Sequence, residues 1–246
     1  MKLICKILPP LLAALACCLG AAAQAPDQAE IRAFQQMAGD NAALYSGREA
    51  EHYDFPYNGH PYWNSPEFRI GDIEFEGRRY CDLPINIDAY SQRLLLKLSN
   101  AVFTLALTPG AVTAADIDGR HYVGVGPDVE GIEEGFYDVT GNGSEMIYKQ
   151  IYKPLLSTTG DVNGEEIGYY DPNYRRQVTL YFAHKVRYFF RDAEGHFSPI
   201  RNRSSLIRKF PTRKKEIRRA VQAAGVDVPG TDFGTFCEVV LKAAAQ

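Results

Sequence analysis

The sequence contains none of the short motifs by which common catalytic sites are recognised. There is no Gly-x-Ser-x-Gly nucleophile elbow, no His-Glu-x-x-His zinc motif, no phosphate-binding loop and no dinucleotide fingerprint. The five histidines are scattered, and the paired acids at 133–134 and 165–166 stand in stretches typical of solvent-facing loops. These absences favour a non-catalytic protein, with a hydrolase that carries no recognisable motif as an alternative.

Cysteine is also scarce, and three of the five cysteines fall within the first 23 residues. Only Cys81 and Cys237 lie outside that stretch. An exported protein with two cysteines can join them, and such a disulfide would fasten the last predicted helix to the second predicted strand. Two separate buried thiols are the alternative, and the sequence does not choose between them.

Beyond the N-terminus the chain lacks any apolar run of about 18 residues, so no membrane span is expected in the mature protein. At the N-terminus two lysines precede an apolar run at 7–23 that ends in small residues, which predicts a signal peptide (1–23) cleaved after Ala23. A retained membrane anchor and lipidation at Cys17 are the alternatives. The mature chain, 24–246, is therefore expected to be exported and to be periplasmic, outer-membrane associated or extracellular.

Tyrosine and phenylalanine are plentiful, and apolar residues recur at every second position through 68–125, which is typical of strands. A slip of one residue at Gly71-Asp72 predicts a β-bulge, because glycine tolerates the backbone angles that an extra residue needs. The Asp118-Gly119 pair predicts a hairpin. Pro84 favours an edge position for the second strand, because proline cannot donate a hydrogen bond to a neighbour.

Helices are predicted at both ends of the mature chain. An apolar stripe over 29–45 predicts a helix with Asp27 as its N-cap, and Thr212 and Asp232 are in position to begin two helices near the C-terminus. The predicted fold is mainly β (α+β) and forms a single domain. In it an antiparallel curved sheet or half-barrel meander carries an N-terminal helix and a C-terminal helix pair, the latter within a helical cap at about 204–246.

Aromatic residues crowd the segment 52–63, where two prolines and a glycine exclude regular structure. Exposed rings in such a segment can stack on a sugar or a peptide, or the segment can lie across the sheet as a plug that closes the core. His52, Asp54 and His60 fit no metal-ligand spacing, so neither a metal nor another cofactor is predicted. The candidate ligand-binding residues are Tyr53, Tyr57, Tyr62 and Trp63.

Positive charge is concentrated in 201–219, which holds nine basic residues and one acid in a chain that is otherwise acidic. A helix of this kind can bind anionic groups such as lipid phosphates or an acidic partner. Alternatively, it is a solvated helix that faces the acidic remainder of the protein. An exported protein is not expected to meet nucleic acid. The candidate anion-binding residues are Arg213, Lys214, Lys215, Arg218 and Arg219.

Several segments resemble a family of exported proteins from Gram-negative, Bacteroides-like bacteria. They are Ala-Leu-Tyr-Ser-Gly-Arg-Glu (43–49), Gly-His-Pro-Tyr-Trp (59–63), Gly-Asp-Ile-Glu-Phe-Glu-Gly-Arg-Arg-Tyr-Cys-Asp-Leu-Pro-Ile-Asn-Ile-Asp (71–88) and Gly-Phe-Tyr (135–137). The resemblance covers most of the mature chain and implies an exported, β-rich protein. It implies no catalytic residue, because the family has no established activity.

These features together favour an exported, non-catalytic binding module or envelope-associated protein. Its expected partner is an envelope protein, a glycan or a lipid. A curved sheet also allows a periplasmic carrier, in which a concave apolar face holds a lipid or another apolar ligand. Apolar residues on both faces of the predicted strand at 102–107 support that alternative.

Overall fold

The computed structural model describes residues 27–39, 42–98, 103–141, 143–159, 178–228 and 230–245, so the predicted signal peptide lies outside the described residues. The helices are α1 (Gln28–Ala38), α2 (Arg203–Ile207), α3 (Lys214–Ala223) and α4 (Phe233–Ala244), with a 3-10 helix at Ala43–Ser46. None of the helices in these ranges combines the length and apolar character that crossing a bilayer requires. The strands are β1 (Arg48–Glu49), β2 (Arg69–Phe75), β3 (Arg78–Asp88), β4 (Arg93–Lys97), β5 (Thr104–Leu107), β6 (Val112–Ile117), β7 (Arg120–Val125), β8 (Gly135–Thr140), β9 (Met146–Tyr152), β10 (Leu155–Thr159), β11 (Val178–Phe182), β12 (Lys185–Arg191) and β13 (Phe197–Ile200).

Eleven of these strands form one antiparallel sheet, in the order β1-β5-β4-β3-β2-β6-β7-β8-β9-β12-β13. The two end strands, β1 and β13, do not pair with each other, so the sheet is open. β10 and β11 form a separate two-stranded sheet. The mainly β, antiparallel fold is thus confirmed, and so is the hairpin at Asp118-Gly119, which joins β6 to β7 with both turn residues at positive φ.

The β2–β3 hairpin contains the predicted bulge, but the extra residue lies on the other strand. Gly71 pairs with Leu83 and Ile73 pairs with Tyr80, so two residues of β3 oppose the single residue Asp72. The positive φ of Asp82, 58°, accommodates the distortion. Gly71 is needed for a different reason: a Cβ there would lie 2.5 Å from the carbonyl oxygen of Asp116 on the neighbouring strand.

The edge position inferred from Pro84 is wrong for the strand as a whole, because β3 lies between β2 and β4. The pairing of β3 with β4 covers only Ile85 to Asp88, however, so Pro84 lies just outside the paired part of β3. Proline is therefore tolerated in an interior strand because no donor is required of it at that position.

The sheet curves enough to bring β4 into contact with β8, and Gln92 links the two parts. Its side-chain nitrogen donates to the carbonyl oxygens of Ala89 (2.8 Å) and Ile151 (3.0 Å). Its side-chain oxygen accepts from the backbone nitrogen of Phe136 (3.2 Å) and from Nε2 of Gln150 (3.0 Å). A half-buried amide that uses its donors and its acceptor in this way favours a single arrangement of the curve.

The largest core cluster lies within this curved part and draws buried side chains from every strand between β2 and β9. Trp63 and Leu44 enter the same cluster from the segments that precede β2. Burial of large apolar side chains stabilises a fold by about 1.5–3 kcal/mol each, so this cluster is the main source of the sheet's stability. The largest members that are almost fully buried are Tyr80, Phe136, Leu44, Ile73, Ile85, Ile87, Leu94 and Leu96.

The N-terminal helix is shorter than predicted and reinforces the bulge. α1 begins after Asp27, as expected, but ends at Ala38, and a separate 3-10 helix follows. Because the bulge leaves the backbone of Cys81 without ladder partners on β2, the side chain of Gln35 takes their place. Gln35 Nε2 donates to the carbonyl oxygen of Cys81 and Gln35 Oε1 accepts from its nitrogen, both at 3.0 Å.

The predicted C-terminal helix pair corresponds to α3 and α4, with the short α2 preceding them. α3 packs on α4, and α4 contacts β9, so the last helix supports the basic helix above the sheet. Asp232 caps α4 by accepting from the backbone nitrogen of Thr235 at 3.0 Å. Thr212 does not cap α3, whose N-cap position is occupied by Arg213 without a side-chain hydrogen bond. The core shared by these helices contains Leu206, Phe210, Ile217, Val221, Phe236, Cys237 and Val240.

Of the two alternatives for the cysteines, the structure has two separate buried thiols. Cys81 and Cys237 are both free and both buried. Cys81 lies at the bulge beneath α1, whereas Cys237 lies in the core between the C-terminal helices and the sheet. The disulfide that would fasten α4 to β3 is therefore absent from this fold.

The buried Cys237 thiol is expected to make the protein less stable in alkali. Burial raises its pKa from 9.0 to about 12, and Asp232 and Glu238 act in the same direction. A raised pKa means that the folded state keeps a proton which the unfolded state loses above pH 9, so stability falls as pH rises from 9 towards 12. The destabilisation caused by Cys237→Ala, measured by urea unfolding, should therefore shrink by about 2 kcal/mol between pH 8 and pH 10.5. The loss in free energy of unfolding caused by the neighbouring substitution Val240→Ala should not change with pH. An equal change with pH in both variants would show that the Cys237 thiol is not the responsible group.

Candidate functional site

The aromatic segment 52–63 lies between the end of β3 and the small β10–β11 sheet. At one end, the backbone nitrogen of Trp63 donates to the carbonyl oxygen of Ile87 and that of Ala89 donates to Pro61, both at 2.8 Å. At the other end, Asn58 exchanges two backbone hydrogen bonds with β11. These contacts hold the segment in an extended path that connects the two sheets.

Of the two alternatives for the aromatic segment, the plug is the one that describes Trp63, whose ring is not available to stack on a ligand. Only 4% of Trp63 is exposed, and its ring packs edge-on against Tyr122 at a centroid distance of 5.4 Å. Tyr53, Tyr57 and Tyr62 are half-buried. Trp63 therefore acts as the plug that the alternative interpretation proposed, because its burial removes apolar surface from water.

Tyr53 is held by a buried carboxylate. Its hydroxyl donates to Asp88 Oδ2 at 2.6 Å, while Asp88 Oδ1 accepts from the backbone nitrogens of Tyr90 (2.8 Å) and Ser91 (3.1 Å). Burial, and secondly the hydrogen bond to Asp88, raise the pKa of Tyr53 far above its ordinary value of 10.0, so it stays a donor. Asp88 is 3% exposed and thereby fixes both the aromatic segment and the turn between β3 and β4.

Two exposed rings, Phe55 and Tyr90, lie against this anchored group. Phe55 is 36% exposed and Tyr90 is 41% exposed. The Tyr90 ring packs edge-on against Tyr53 (5.5 Å between centroids) and Phe182 (5.4 Å), and Phe55 packs against Tyr53 at 6.2 Å. Sequence reasoning missed Tyr90, because its turn contains polar residues and its neighbour Phe182 is more than 90 positions away.

An open cleft of about 820 Å³ begins at Tyr90 and extends along β1, β4 and the end of β5. Part of its surface is apolar and comes from Leu95, Ala106 and Leu107. Its charged residues are Arg48, Glu49, Glu51, Glu76, Asp88 and Arg93.

Some charged groups of the cleft are paired and others are available to a ligand. Arg93 donates to Glu134 at 2.9 Å, and Glu49 lies 3.6 Å from His52. Within the described ranges, the side chains of Arg48, Glu51 and Glu76 make no hydrogen bond or ion pair. The cleft therefore presents one cation and two carboxylates that a ligand can engage without breaking an existing pair.

The candidate anion-binding residues form a second surface on α3 and at its N-cap. Arg213, Lys214, Lys215, Arg218 and Arg219 are all exposed. In the part of the chain that the structure describes, none of the five side chains forms a hydrogen bond or an ion pair. The opposite side of α3 is buried through Ile217 and Val221. These five residues are called the α3 basic surface below.

The basic residues near the C-terminus differ in what their side chains contact. Arg203, which precedes the α3 basic surface, illustrates the contrast. Its Nη2 donates to the carbonyl oxygen of Thr231 at 2.9 Å and its guanidinium lies 5.3 Å from the ring centroid of Phe236. Basic residues near α4 are thus used structurally, whereas those on the outer side of α3 are left to solvent.

The histidines do not assemble with acids into a polydentate site in the described residues. His52 lies beside Glu49, His121 Nδ1 lies 2.8 Å from Asp116, and His60 Nδ1 lies 3.3 Å from Lys153 Nζ. Within the described ranges, no group of three or more His, Cys, Asp or Glu side chains lies close enough to hold a metal ion.

Comparison with protein-family models, with curated proteins and with solved structures finds no match to this chain. The candidate sites are therefore interpreted from their own geometry.

Proposed function

We propose that this protein is an exported, non-catalytic module that associates with the bacterial envelope by binding phosphate groups of anionic lipids through the α3 basic surface. The observation that carries this proposal is that five exposed basic side chains on one helix have no ion pair among the described residues. Lipid phosphates at a membrane surface attract such residues by about 1 kcal/mol for each Lys or Arg. Five residues together are sufficient for reversible association.

The positions of the basic residues destabilise α3 as an isolated helix, which supports a role in binding. Lys214 and Arg218 are four residues apart, as are Lys215 and Arg219, and like charges at this spacing repel by about 0.2–0.5 kcal/mol for each pair. Arg213, Lys214 and Lys215 also lie at the helix N-terminus, where the macrodipole disfavours positive charge by about 0.3–1 kcal/mol each. Charged residues that are placed against the preferences of a helix, with no stabilising contact in return, are characteristic of functional surfaces.

The packed interior of the sheet favours a surface-binding module over a carrier. A carrier needs a cavity that can enclose an acyl chain, and such sites are predominantly apolar. In this chain the curved part of the sheet is occupied by its own side chains, among them Tyr80 and Phe136. The cleft beside Tyr90 is open and bears several charges, so it is poorly suited to an acyl chain.

Charge reversal at two positions tests the proposal. The variant with Lys215→Glu and Arg219→Glu is compared with a control that carries Lys97→Glu and Lys185→Glu, which are exposed and lie on β4 and β12. Both variants change the net charge equally. Binding is measured by co-sedimentation with vesicles of phosphatidylglycerol and phosphatidylcholine, and with vesicles of phosphatidylcholine alone.

The wild-type chain should bind the anionic vesicles, and binding should weaken as salt is raised. Reversal on α3 should weaken binding by about tenfold or more, whereas the control should bind within about twofold of wild type. Equal losses in both variants, or equal binding to both kinds of vesicle, would show that the α3 basic surface is not the site.

A further inference from the structure

The cleft beside Tyr90 has the composition of a sugar-binding site. Its volume of about 820 Å³ is within the range of about 300–1,000 Å³ that is usual for small-molecule sites. Tyr90 contributes a ring that is 41% exposed. The C–H groups on one side of a pyranose ring are apolar enough to pack on such a ring, while the sugar hydroxyls point outwards to polar partners.

The Tyr90 ring is held in place before any ligand binds. Its edge contacts with Tyr53 and Phe182, and the hydrogen bond from its backbone nitrogen to Asp88 at 2.8 Å, restrict both its rotamer and its turn. A ring that is already ordered loses little conformational entropy on binding, so more of the contact energy contributes to affinity.

The free polar groups of the cleft suit hydroxyl groups. The Arg48 guanidinium offers several donors in a plane, and the Glu51 carboxylate offers two acceptor oxygens. Hydrogen bonds between charged groups and neutral hydroxyls are stronger than those between two neutral partners. Sugar hydroxyls, which both donate and accept, can therefore engage Arg48 and Glu51 at the same time.

The charge balance and the strand arrangement narrow the ligand class. Four acids and two basic residues line the cleft, so an acidic sugar would be repelled. A peptide that binds by strand addition needs an exposed edge of several residues, whereas β1 contains only Arg48 and Glu49. A neutral ligand that is recognised by ring stacking and hydroxyl pairing fits both observations.

We infer that this cleft binds a neutral oligosaccharide, with Tyr90 as the stacking ring and with Arg48 and Glu51 as hydrogen-bonding partners. This site is separate in sequence from the α3 basic surface, and the inference does not depend on lipid binding.

The test uses isothermal titration calorimetry with maltotriose and chitotriose as neutral probes. At least one should bind with a dissociation constant below about 1 mM. Tyr90→Ala should weaken this binding by about tenfold or more, while Tyr90→Phe, which keeps the ring, should stay within about threefold of wild type. The control is Phe103→Ala, because Phe103 is 43% exposed and lies outside the cleft, and it should leave binding unchanged.

Thermal unfolding of each variant establishes that the alanine substitutions leave the fold intact. Failure of both neutral sugars to bind at about 10 mM would overturn the inference. So would equal losses in Tyr90→Ala and Phe103→Ala. Binding of trigalacturonate or of an extended decapeptide in place of the neutral sugars would assign the cleft to another ligand class.

Discussion

Replacement of Gly124 by alanine is expected to lower the free energy of unfolding by about 3 kcal/mol or more, the largest effect of the substitutions considered for this fold. Gly124 lies in β7, opposite Phe136 on β8. A Cβ at this position would overlap the carbonyl oxygen of Val112 and would press on the Phe136 ring. Because both the carbonyl and the ring belong to the packed core, neither can move without disturbing the curved sheet.

Urea unfolding monitored by circular dichroism measures this effect, with Gly143→Ala as the control. Gly143 lies in the turn between β8 and β9, and a Cβ there would have no heavy atom within 4 Å. Its backbone also does not require glycine, since its φ lies outside the left-handed region. The control should therefore change stability by no more than about 0.5 kcal/mol. Similar stabilities for both variants would show that β7 is not packed against Val112 as described.

Replacement of Asp88 by asparagine is expected to destabilise the protein by about 2–4 kcal/mol. Asparagine keeps one acceptor oxygen for the Tyr90 and Ser91 nitrogens, but its amide places a donor where the Tyr53 hydroxyl also donates. The variant therefore loses a charge-assisted hydrogen bond and leaves a half-buried hydroxyl without its acceptor. The turn that carries Tyr90 should loosen as well.

A double-mutant cycle with Tyr53→Phe separates the hydrogen bond from the other effects of the substitution. The two changes should couple by about 1 kcal/mol, because each removes the same contact. Asp118→Asn is the matched control, since Asp118 is exposed and asparagine tolerates its positive φ of 50°. The anchoring role of Asp88 would be contradicted if Asp118→Asn lowered the free energy of unfolding as much as Asp88→Asn. It would also be contradicted if the effects of Asp88→Asn and Tyr53→Phe were additive.

The parts of the fold that depend on local chemistry were predictable. The Asp118-Gly119 hairpin follows from two residues that adopt positive φ easily, and the alternation in β2 follows from the pleat of a strand with one buried face. β4 departs from this pattern, because Leu94, Leu95 and Leu96 are all buried. The bulge was predictable only in part. Its place in the β2–β3 hairpin was correct, but period and composition cannot say which strand holds the extra residue. That choice depends on how Gln35 and Asp72 satisfy the backbone of Cys81 and Asp82.

The two candidate sites differ in how much the sequence reveals. The α3 basic surface is local, because helical spacing places Ile217 and Val221 on one side and the basic residues on the other. Whether acids elsewhere would neutralise it could not be predicted, since ion pairs form between distant segments. The aromatic group is almost entirely non-local. It joins Tyr53, Tyr90 and Phe182. The composition of 52–63 indicated Tyr53 but neither of its distant partners, and it also indicated Trp63, which is buried.

The sequence by itself determined the antiparallel β architecture, the helices at both ends and the basic character of α3, because pleat, helical period and turn chemistry act between near neighbours. Only the tertiary structure decided the strand order, the burial of Trp63, the separation of Cys81 from Cys237 and the exposure of Tyr90 beside a charged cleft. These features depend on how the sheet curves, and the curvature is set by contacts such as those of Gln92 and Gly124, whose partners are distant along the chain.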